Sequence, residues 1–286
     1  MKADLHMHST ASDGTLSPEA LAGRAAQLEF DVIALSDHDS MEGVRAAQKE
    51  GARLGVRVMA AAELSCGAGR EIHILGYGMD ADNTALLDFF ERKRIQRETR
   101  AEQMVMRLSE LGKGVSFERV RELAQGAVGR PHIARALVEA GHVLSVSEAF
   151  DRFLASGKPA YVPKEEVKVA EAVRLINGAG GVAVLAHPME LKMGEMAIEA
   201  LVHEWKGQGL AGLEVYHPSA ANNHASFLLA LARREGMLIT GGSDYHGSAS
   251  HRGDIGEGLE RWRTMQEDVQ RLDAAITAAR GRMHGA

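Results

Sequence analysis

The sequence predicts an α/β protein that carries a helical insertion. Strand and helix signals alternate from residue 1 to about residue 77 and again from about residue 166 to about residue 280, whereas no clear strand appears between them. Of the 286 residues, 45% are hydrophobic, which is enough to bury a large core. We therefore expect one α/β body, residues 1–99 and 161–286, interrupted by a helical insertion of residues 100–160.

The first half of the body alternates short hydrophobic strands with helices. Ser17-Pro18-Glu19 is a helix start, because a capping serine precedes a proline that fits the first helical turn. This helix extends to about residue 29, and a second covers about 40–54. The predicted strands are residues 3–8, 31–35, 56–62 and 71–77.

The middle of the chain, residues 82–156, is predicted to be helical throughout. The stretch 84–111 is long and charged, Ser116 caps a short helix, and Gly129 and Val146 each open a further one. Residues 158–163 lead back to the body. Alternation then resumes with helices 166–178, 195–208, 220–235 and 263–280 and strands 182–186, 212–216 and 237–240.

Charge is unevenly distributed along the chain. Residues 92–135 hold eleven Lys or Arg and five Glu, a balance of +6, although the whole chain carries −6. The overall charge argues against stable binding to duplex nucleic acid, whereas the basic segment favours a surface that receives a small anion. The alternative is a solvated helix in which Glu98 and Glu102 pair with neighbouring arginines.

Two classes of protein are excluded by composition. We expect no membrane span, because no apolar run approaches the length that a bilayer requires. The single cysteine, Cys66, excludes an internal disulfide framework and a cysteine-rich zinc site. No basic and apolar signal segment opens the sequence, so we expect a cytoplasmic protein.

The first strand carries two histidines that could share a cation. Alternation places Ala3, Leu5 and Met7 on one face and Asp4, His6 and His8 on the other. Imidazoles at i and i+2 of a strand project from the same face, and Asp13 follows in a Ser-Asp-Gly turn. Taken alone, such a pair is equally well explained as a polar strand face.

Potential metal ligands recur at the ends of the predicted strands, where α/β proteins place their sites. Imidazoles and carboxylates without thiolates suit Mn²⁺, Zn²⁺ or Fe²⁺, and their number is enough for two or three ions with positions left for water and substrate. A group of ions would also attract a phosphate. The candidate ligands are His6, His8, Asp13, His38, Glu63, His73, His187, Asp244 and His246.

Four segments together resemble the PHP (polymerase and histidinol phosphatase) family: DLHMHST with ASDGT, ALSDHDS, AAELS, and GGSDYHG, with a His-Pro pair after a hydrophobic strand. The resemblance covers nearly the whole chain. It implies a distorted seven-stranded β/α barrel with two or three metal ions. By the same resemblance, His6, His8, Glu63 and Asp244 form one site, Glu63 with His73 and His187 a second, and Asp13, His38 and His246 a third.

The Arg130-Pro131-His132 element resembles nucleoside 3′,5′-bisphosphate phosphatases and 5′-to-3′ small-RNA exonucleases of this family. Arginines clamp phosphates, and a helix N-terminus offers free amides to an anion. We therefore predict that Arg130, His132 and Arg135 bind a phosphate that is not cleaved. Ordinary helix capping with surface arginines is the competing explanation. Tyr216 and His217, just after a strand, are predicted to contact a base or ribose or to belong to an ordinary loop.

The predicted reaction is removal of the 3′-phosphate from a nucleoside 3′,5′-bisphosphate by a hydroxide that bridges two ions, with Mn²⁺ preferred. Asp13, His38 and His246 are assigned to the third ion and to assistance of the leaving group. Asp37 and Asp39 are predicted to orient ligand imidazoles. The alternatives are exonuclease action on short RNA, hydrolysis of histidinol phosphate, and a non-catalytic metal-binding module.

Overall fold

The computed structural model describes residues 1–67, 71–124, 128–220, 222–247, 254–256 and 265–284. Contacts divide the chain into two units. The first comprises Met1–Leu87 and Glu166–Ala286, and the second comprises Asp88–Glu165. The second unit thus begins before the expected insertion, because one helix, Thr84–Glu110, continues through the expected boundary.

Within the described residues, the first unit contains a single sheet whose seven strands follow one another in chain order. This confirms the predicted α/β class. The parallel pairings are interrupted at one strand, β4, which is antiparallel to both of its neighbours. The strands are β1 (Ala3–Met7), β2 (Val32–Leu35), β3 (Arg57–Cys66), β4 (Ile72–Tyr77), β5 (Val182–Leu185), β6 (Gly212–Tyr216) and β7 (Leu238–Gly241).

The sheet closes nearly into a barrel where β1 meets the segment after β7. Met7 forms a parallel bridge with Tyr245, and the amide of Asp244 donates to the carbonyl of His6 at 2.9 Å. Gly242 permits this approach, since a Cβ at that position would lie 2.2 Å from the Cβ of His6. The seven-stranded barrel predicted from the family resemblance is therefore confirmed.

Strand β3 is longer than predicted. It does not end before Glu63 but continues to Cys66, because its second half pairs with β4 as an antiparallel hairpin. In that register Ser65 is opposite His73 and Glu63 is opposite Leu75. The N-terminal end of β4 therefore lies at the same end of the barrel as the C-terminal ends of the parallel strands. This places His73 beside the other candidate ligands.

The described residues contain ten α-helices: α1 (Pro18–Gln27), α2 (Val44–Leu54), α3 (Thr84–Glu110), α4 (Phe117–Ala124), α5 (Arg130–Glu139), α6 (Val146–Ala149), α7 (Val169–Gly178), α8 (Glu195–Gly207), α9 (Asn222–Arg234) and α10 (Met265–His284). A π-helix, Phe150–Leu154, continues directly from α6. Within this set, no helix has both the length and the hydrophobicity needed to cross a bilayer.

The core of the first unit is formed by alternate residues of five strands together with one face of α10. The hydroxyl of Tyr77 on β4 donates to the carbonyl of Leu5 on β1 at 2.9 Å. Since these strands are not neighbours in the sheet, this hydrogen bond crosses the barrel interior. The packed interior fixes the strands beneath the end of the barrel at which the candidate ligands lie.

The second unit has a hydrophobic core of its own, formed by α3 to α6 and the π-helix. Met104, Leu108, Ile133 and Leu137 are fully or almost fully buried in it. Its surface carries ion pairs such as Arg94 with Glu98, the pairing expected of a solvated helix.

Candidate metal centre

The structure brings together all nine residues that the sequence singled out as ligands. His6 and His8 lie at the end of β1, His38 follows β2, His187 follows β5, and Asp244 and His246 follow β7. We call these residues the ligand cluster. Its members are His6, His8, Asp13, His38, Glu63, His73, His187, Asp244 and His246.

Glu63 lies at the centre of the ligand cluster and is completely buried. Its Oε1 is 2.8 Å from Nδ1 of His73 and 2.9 Å from Nε2 of His187. Its Oε2 is 3.3 Å from Nε2 of both His6 and His8 and 3.1 Å from Nδ1 of His38. The two oxygens of one carboxylate thus face two different sets of imidazoles, as a residue that bridges two cations would.

Three groups of potential ligand atoms can be distinguished within the ligand cluster. In the first two groups named at the end of this paragraph, the ligand atoms lie within 4.8 Å of one another. In the third, Nδ1 of His73 and Nε2 of His187 are 3.2 Å apart and both contact Oε1 of Glu63. The groups are His6, His8, Glu63 and Asp244; His8, Asp13, His38 and His246; and Glu63, His73 and His187.

The chemistry of these atoms fits divalent cations. Oε2 of Glu63 is buried and has no hydrogen-bond partner among the described residues, although three imidazole nitrogens lie close to it. Nδ1 of His8 and Nε2 of His73 are also buried, and they too have no hydrogen-bond partner among the described residues. Buried polar atoms are normally satisfied, so such a concentration indicates a group that a cation completes. Nitrogen and oxygen donors without thiolates suit Mn²⁺, Zn²⁺ or Fe²⁺.

The electrostatics of the ligand cluster differ from one imidazole to the next. Burial opposes protonation of His6, but the carboxylates of Glu214 and Glu63 outweigh it and raise the pKa of His6 to about 10. Burial also opposes protonation of His73, but the carboxylate of Glu63 outweighs it and raises the pKa of His73 to about 9. Burial lowers the pKa of His38 and His246. The latter two imidazoles are therefore neutral at pH 7 and present a lone pair to a cation.

Asp37, next to the ligand His38, fixes a loop rather than an imidazole. Asp37 accepts hydrogen bonds from the amide and hydroxyl of Ser9, both at 2.8 Å, and from the hydroxyl of Ser12 at 2.6 Å. The prediction that it orients a ligand imidazole is therefore wrong; it holds the loop that carries Asp13. Asp39 accepts from the amide of Ser65 at 2.9 Å.

Two further residues contact the ligand cluster; Glu214 was not recognised from sequence, and His217 was given a different role. Glu214 of β6 is completely buried, and its Oε1 lies 2.9 Å from Nδ1 of His6. His217 was predicted to touch substrate or to belong to a loop, but it is buried with Nε2 3.3 Å from Oδ2 of Asp244. A charged residue inside a hydrophobic strand was the available signal for Glu214.

The three predicted substrate-binding residues lie in the second unit, at the start of α5. The guanidinium of Arg130 lies over the ring of Phe150 at 5.6 Å. Nδ1 of His132 accepts a hydrogen bond from the amide of Gly129 at 3.1 Å and thereby caps the helix. Arg135 is exposed. The helix-capping explanation thus applies to His132, whereas neither arginine pairs with a carboxylate among the described residues.

Comparison with known proteins gives a consistent result. The PHP domain profile matches residues 4–139. The 5′-3′ exoribonuclease Rnm of Escherichia coli is 35% identical, over 85% of this chain and 84% of that protein. The 3′,5′-nucleoside bisphosphate phosphatase of Chromobacterium violaceum is also 35% identical, over 88% of this chain and 90% of that protein.

A solved structure supports the same relationship. The crystal structure of a protein assigned as a metal-dependent phosphoesterase, from Bifidobacterium adolescentis, superposes with a TM-score of 0.82. It is 29% identical in sequence, and the match covers 96% of both chains. The likeness therefore extends over both units of the chain.

Proposed function

The chain belongs to the PHP family, and from that premise we propose that it removes the 3′-phosphate of nucleoside 3′,5′-bisphosphates. Membership makes it a hydrolase of phosphoric esters that depends on divalent metal ions. The choice of substrate is carried by one observation, the similarity over most of its length to a phosphatase named for that substrate.

We assign the ligand cluster to two or three ions, in the groups described above, with Glu63 shared between two of them. Divalent ions, when bound there, activate water for attack on phosphorus and neutralise the charge on the phosphoryl oxygens. These ligands lie in or just after six strands of the barrel, β1 to β5 and β7. We propose Mn²⁺ as the physiological ion, with Zn²⁺ and Fe²⁺ as alternatives. The metal preference and a cytoplasmic location stay predictions.

The residues with access to solvent are assigned to the leaving group. The side chains of His38 and His246 are 15% exposed and that of Asp13 is 44% exposed, whereas His6, His8, Glu63 and Asp244 are almost fully enclosed. A departing ribose oxygen needs a proton and a route to water. We therefore propose that Asp13, His38 and His246 lie beside the leaving 3′-oxygen, where a cation held by them would stabilise its negative charge, and that this oxygen takes its proton from water.

The second phosphate is assigned to Arg130 and Arg135. Four arginines of the second unit form ion pairs with glutamates among the described residues: Arg94, Arg119, Arg121 and Arg152. Arg130 and Arg135 have no carboxylate partner among the described residues, so their charge is available to an anion. We propose that they bind the 5′-phosphate of the nucleotide.

A second candidate is exonuclease action on short RNA from the 5′ end. It is favoured by the equally similar exoribonuclease, and the same residues would serve it, because a 5′-phosphate and a phosphoester to be cleaved are present in both substrates.

The test is to supply the purified, Mn²⁺-loaded protein with adenosine 3′,5′-bisphosphate, a 5′-phosphorylated RNA pentamer, and histidinol phosphate. We expect the highest kcat/KM with the bisphosphate and release of the nucleoside 5′-monophosphate. A preference for the pentamer would favour the exonuclease, and a preference for histidinol phosphate would contradict the nucleotide proposal. No turnover of any of the three after metal loading would favour a non-catalytic module.

A further inference from the structure

Among the seven described strands, β6 differs from the others because neither the strand nor the residues just after it supply a member of the ligand cluster. Its neighbours β5 and β7 lead directly into His187 and Asp244. In place of ligands, β6 and the residue after it present Glu214 and His217, which are 0% and 2% exposed. Buried ionisable side chains need partners, so their contacts indicate what this strand does.

Glu214 contacts two ligand residues with its two oxygens. Oε1 lies 2.9 Å from Nδ1 of His6, and Oε2 accepts a hydrogen bond from the backbone amide of His187 at 2.7 Å. Since a carboxylate accepts hydrogen bonds, Nδ1 of His6 carries the proton, and Nε2 is directed at Glu63 and Asp244, 3.3 and 3.4 Å away. Glu214 thereby selects the nitrogen that His6 offers to a cation.

The amide contact with His187 has a separate role. His187 has a φ of +27° and a ψ of +61°, a backbone conformation that residues other than glycine adopt at a cost. The hydrogen bond to Glu214 holds this residue in the conformation that directs its Nε2 to Glu63. The same carboxylate therefore orients ligands from β1 and from the loop after β5.

His217 orients the side chain of Asp244, as Glu214 orients that of His6. Nδ1 of His217 accepts the backbone amide of Ser219 at 3.1 Å, so the proton of the neutral ring lies on Nε2. That nitrogen is 3.3 Å from Oδ2 of Asp244 and donates to it. The other oxygen, Oδ1, then faces Nε2 of His8 at 3.1 Å. Asp244 also has a positive φ, +53°, so its position requires support.

The hydrogen bond between Glu214 and His6 joins β6 to β1, and both of these strands pair irregularly with a neighbouring strand. The register of β6 against β7 shifts between Glu214 and Tyr216, and that of β1 against β2 shifts between Asp4 and Met7. Bulges redirect side chains and are frequent beside active sites. The predicted strict alternation along β1 is therefore interrupted next to His6.

We propose that β6 and the residue after it have a positioning role, in which Glu214 and His217 fix the orientation of His6, His187 and Asp244. The inference rests on the proposed metal-dependent function, and it assigns to these two residues the preorganisation of two groups of ligands, the one that contains His6 and Asp244 and the one that contains His187.

The experiment measures Mn²⁺ binding to metal-free protein by isothermal titration calorimetry and metal analysis. Glu214→Gln keeps the size of the side chain but replaces one accepting oxygen with a donor, and we expect a loss of affinity of about 10–100-fold. The exposed Glu204→Gln is the matched control. Retention of wild-type affinity and stoichiometry by a folded Glu214→Gln variant would overturn the role of Glu214.

A second pair of variants tests the role of His217. This test remains informative if the Glu214→Gln variant does not fold. His217→Leu removes the donor to Asp244, whereas the amide of His217→Gln can restore it. We expect weaker Mn²⁺ binding for His217→Leu and partial recovery for His217→Gln; equal affinities for the two would contradict the proposal. A wild-type protein that binds Mn²⁺ but hydrolyses no phosphate ester would refute the proposed function and leave the positioning roles intact.

Discussion

The two units of the chain use charged side chains in opposite ways. At the end of the barrel, histidines and carboxylates are buried and lie within about 3 Å of one another, so that each depends on its neighbours or on a cation. In the second unit, arginines and glutamates are exposed and form local pairs along helices. Under the proposed function, the buried groups of the barrel would carry out the chemistry, and arginines of the second unit would contact the second phosphate.

The largest effect is expected from the centre of the ligand cluster. Glu63→Gln should lower kcat by roughly 10³-fold or more, because a neutral amide cannot bridge two cations. Metal analysis should show fewer bound ions per chain. Glu50→Gln, which removes a surface carboxylate that pairs with Arg53, serves as the control. Full metal content in Glu63→Gln would refute the central role of this residue.

A smaller and more selective effect is expected in the second unit. Arg130→Ala should raise KM for the bisphosphate about 10–100-fold, the value of a charge-assisted contact, and leave hydrolysis of nitrophenyl phosphate nearly unchanged. Steady-state kinetics with both substrates provide the measurement. If both substrates were affected equally, Arg130 would not bind a second phosphate, and the division between the two units would lose its support.

The ligand histidines of the barrel should release protons when the protein binds metal ions. In metal-free protein His6 and His73 have pKa values of about 10 and about 9, so both are protonated at pH 7. A cation must displace these protons, and its binding should therefore strengthen as the pH rises from 7 to 9. Calorimetric titration of Mn²⁺ in buffers of different ionisation enthalpy measures the release. Heats independent of the buffer would show that these imidazoles are not displaced.

The smallest effect is expected at the exposed pairs of the second unit. Arg119→Ala should leave the thermal midpoint of unfolding within about 2 °C of the wild type, because exposed ion pairs contribute little stability. Its kinetic constants with the bisphosphate should also be unchanged, which makes it the matched control for Arg130→Ala. A raised KM in this variant would instead indicate that general positive charge attracts the substrate.

The sequence predicted the fold class and the positions of the candidate ligands because their signals are local. His6 and His8 alternate along one strand, and Asp244 and His246 follow another after a glycine pair. The antiparallel direction of β4 could not be read locally, since strand direction depends on pairing with distant segments.

Glu214 illustrates the other limit. Its neighbours in sequence give β6 an ordinary hydrophobic pattern, and its partners His6 and His187 lie in other strands and loops. The bulge beside it depends on the pairing of β6 with β7. Residues that bind a cation leave recognisable motifs, whereas a single charged residue inside a hydrophobic strand does not show which ligands it holds in place.

Closure of the barrel also governs when the protein can acquire its metal. Asp4 accepts hydrogen bonds from the amide and hydroxyl of Ser243, 239 positions later, and β1 meets the segment after β7 at the same place. During synthesis, β1 must therefore wait until residue 243 has been made before its histidines acquire their final neighbours. Contacts of such separation form slowly. A nascent chain interrupted before residue 244 would lack Asp244 and His246 and would therefore have an incomplete ligand cluster.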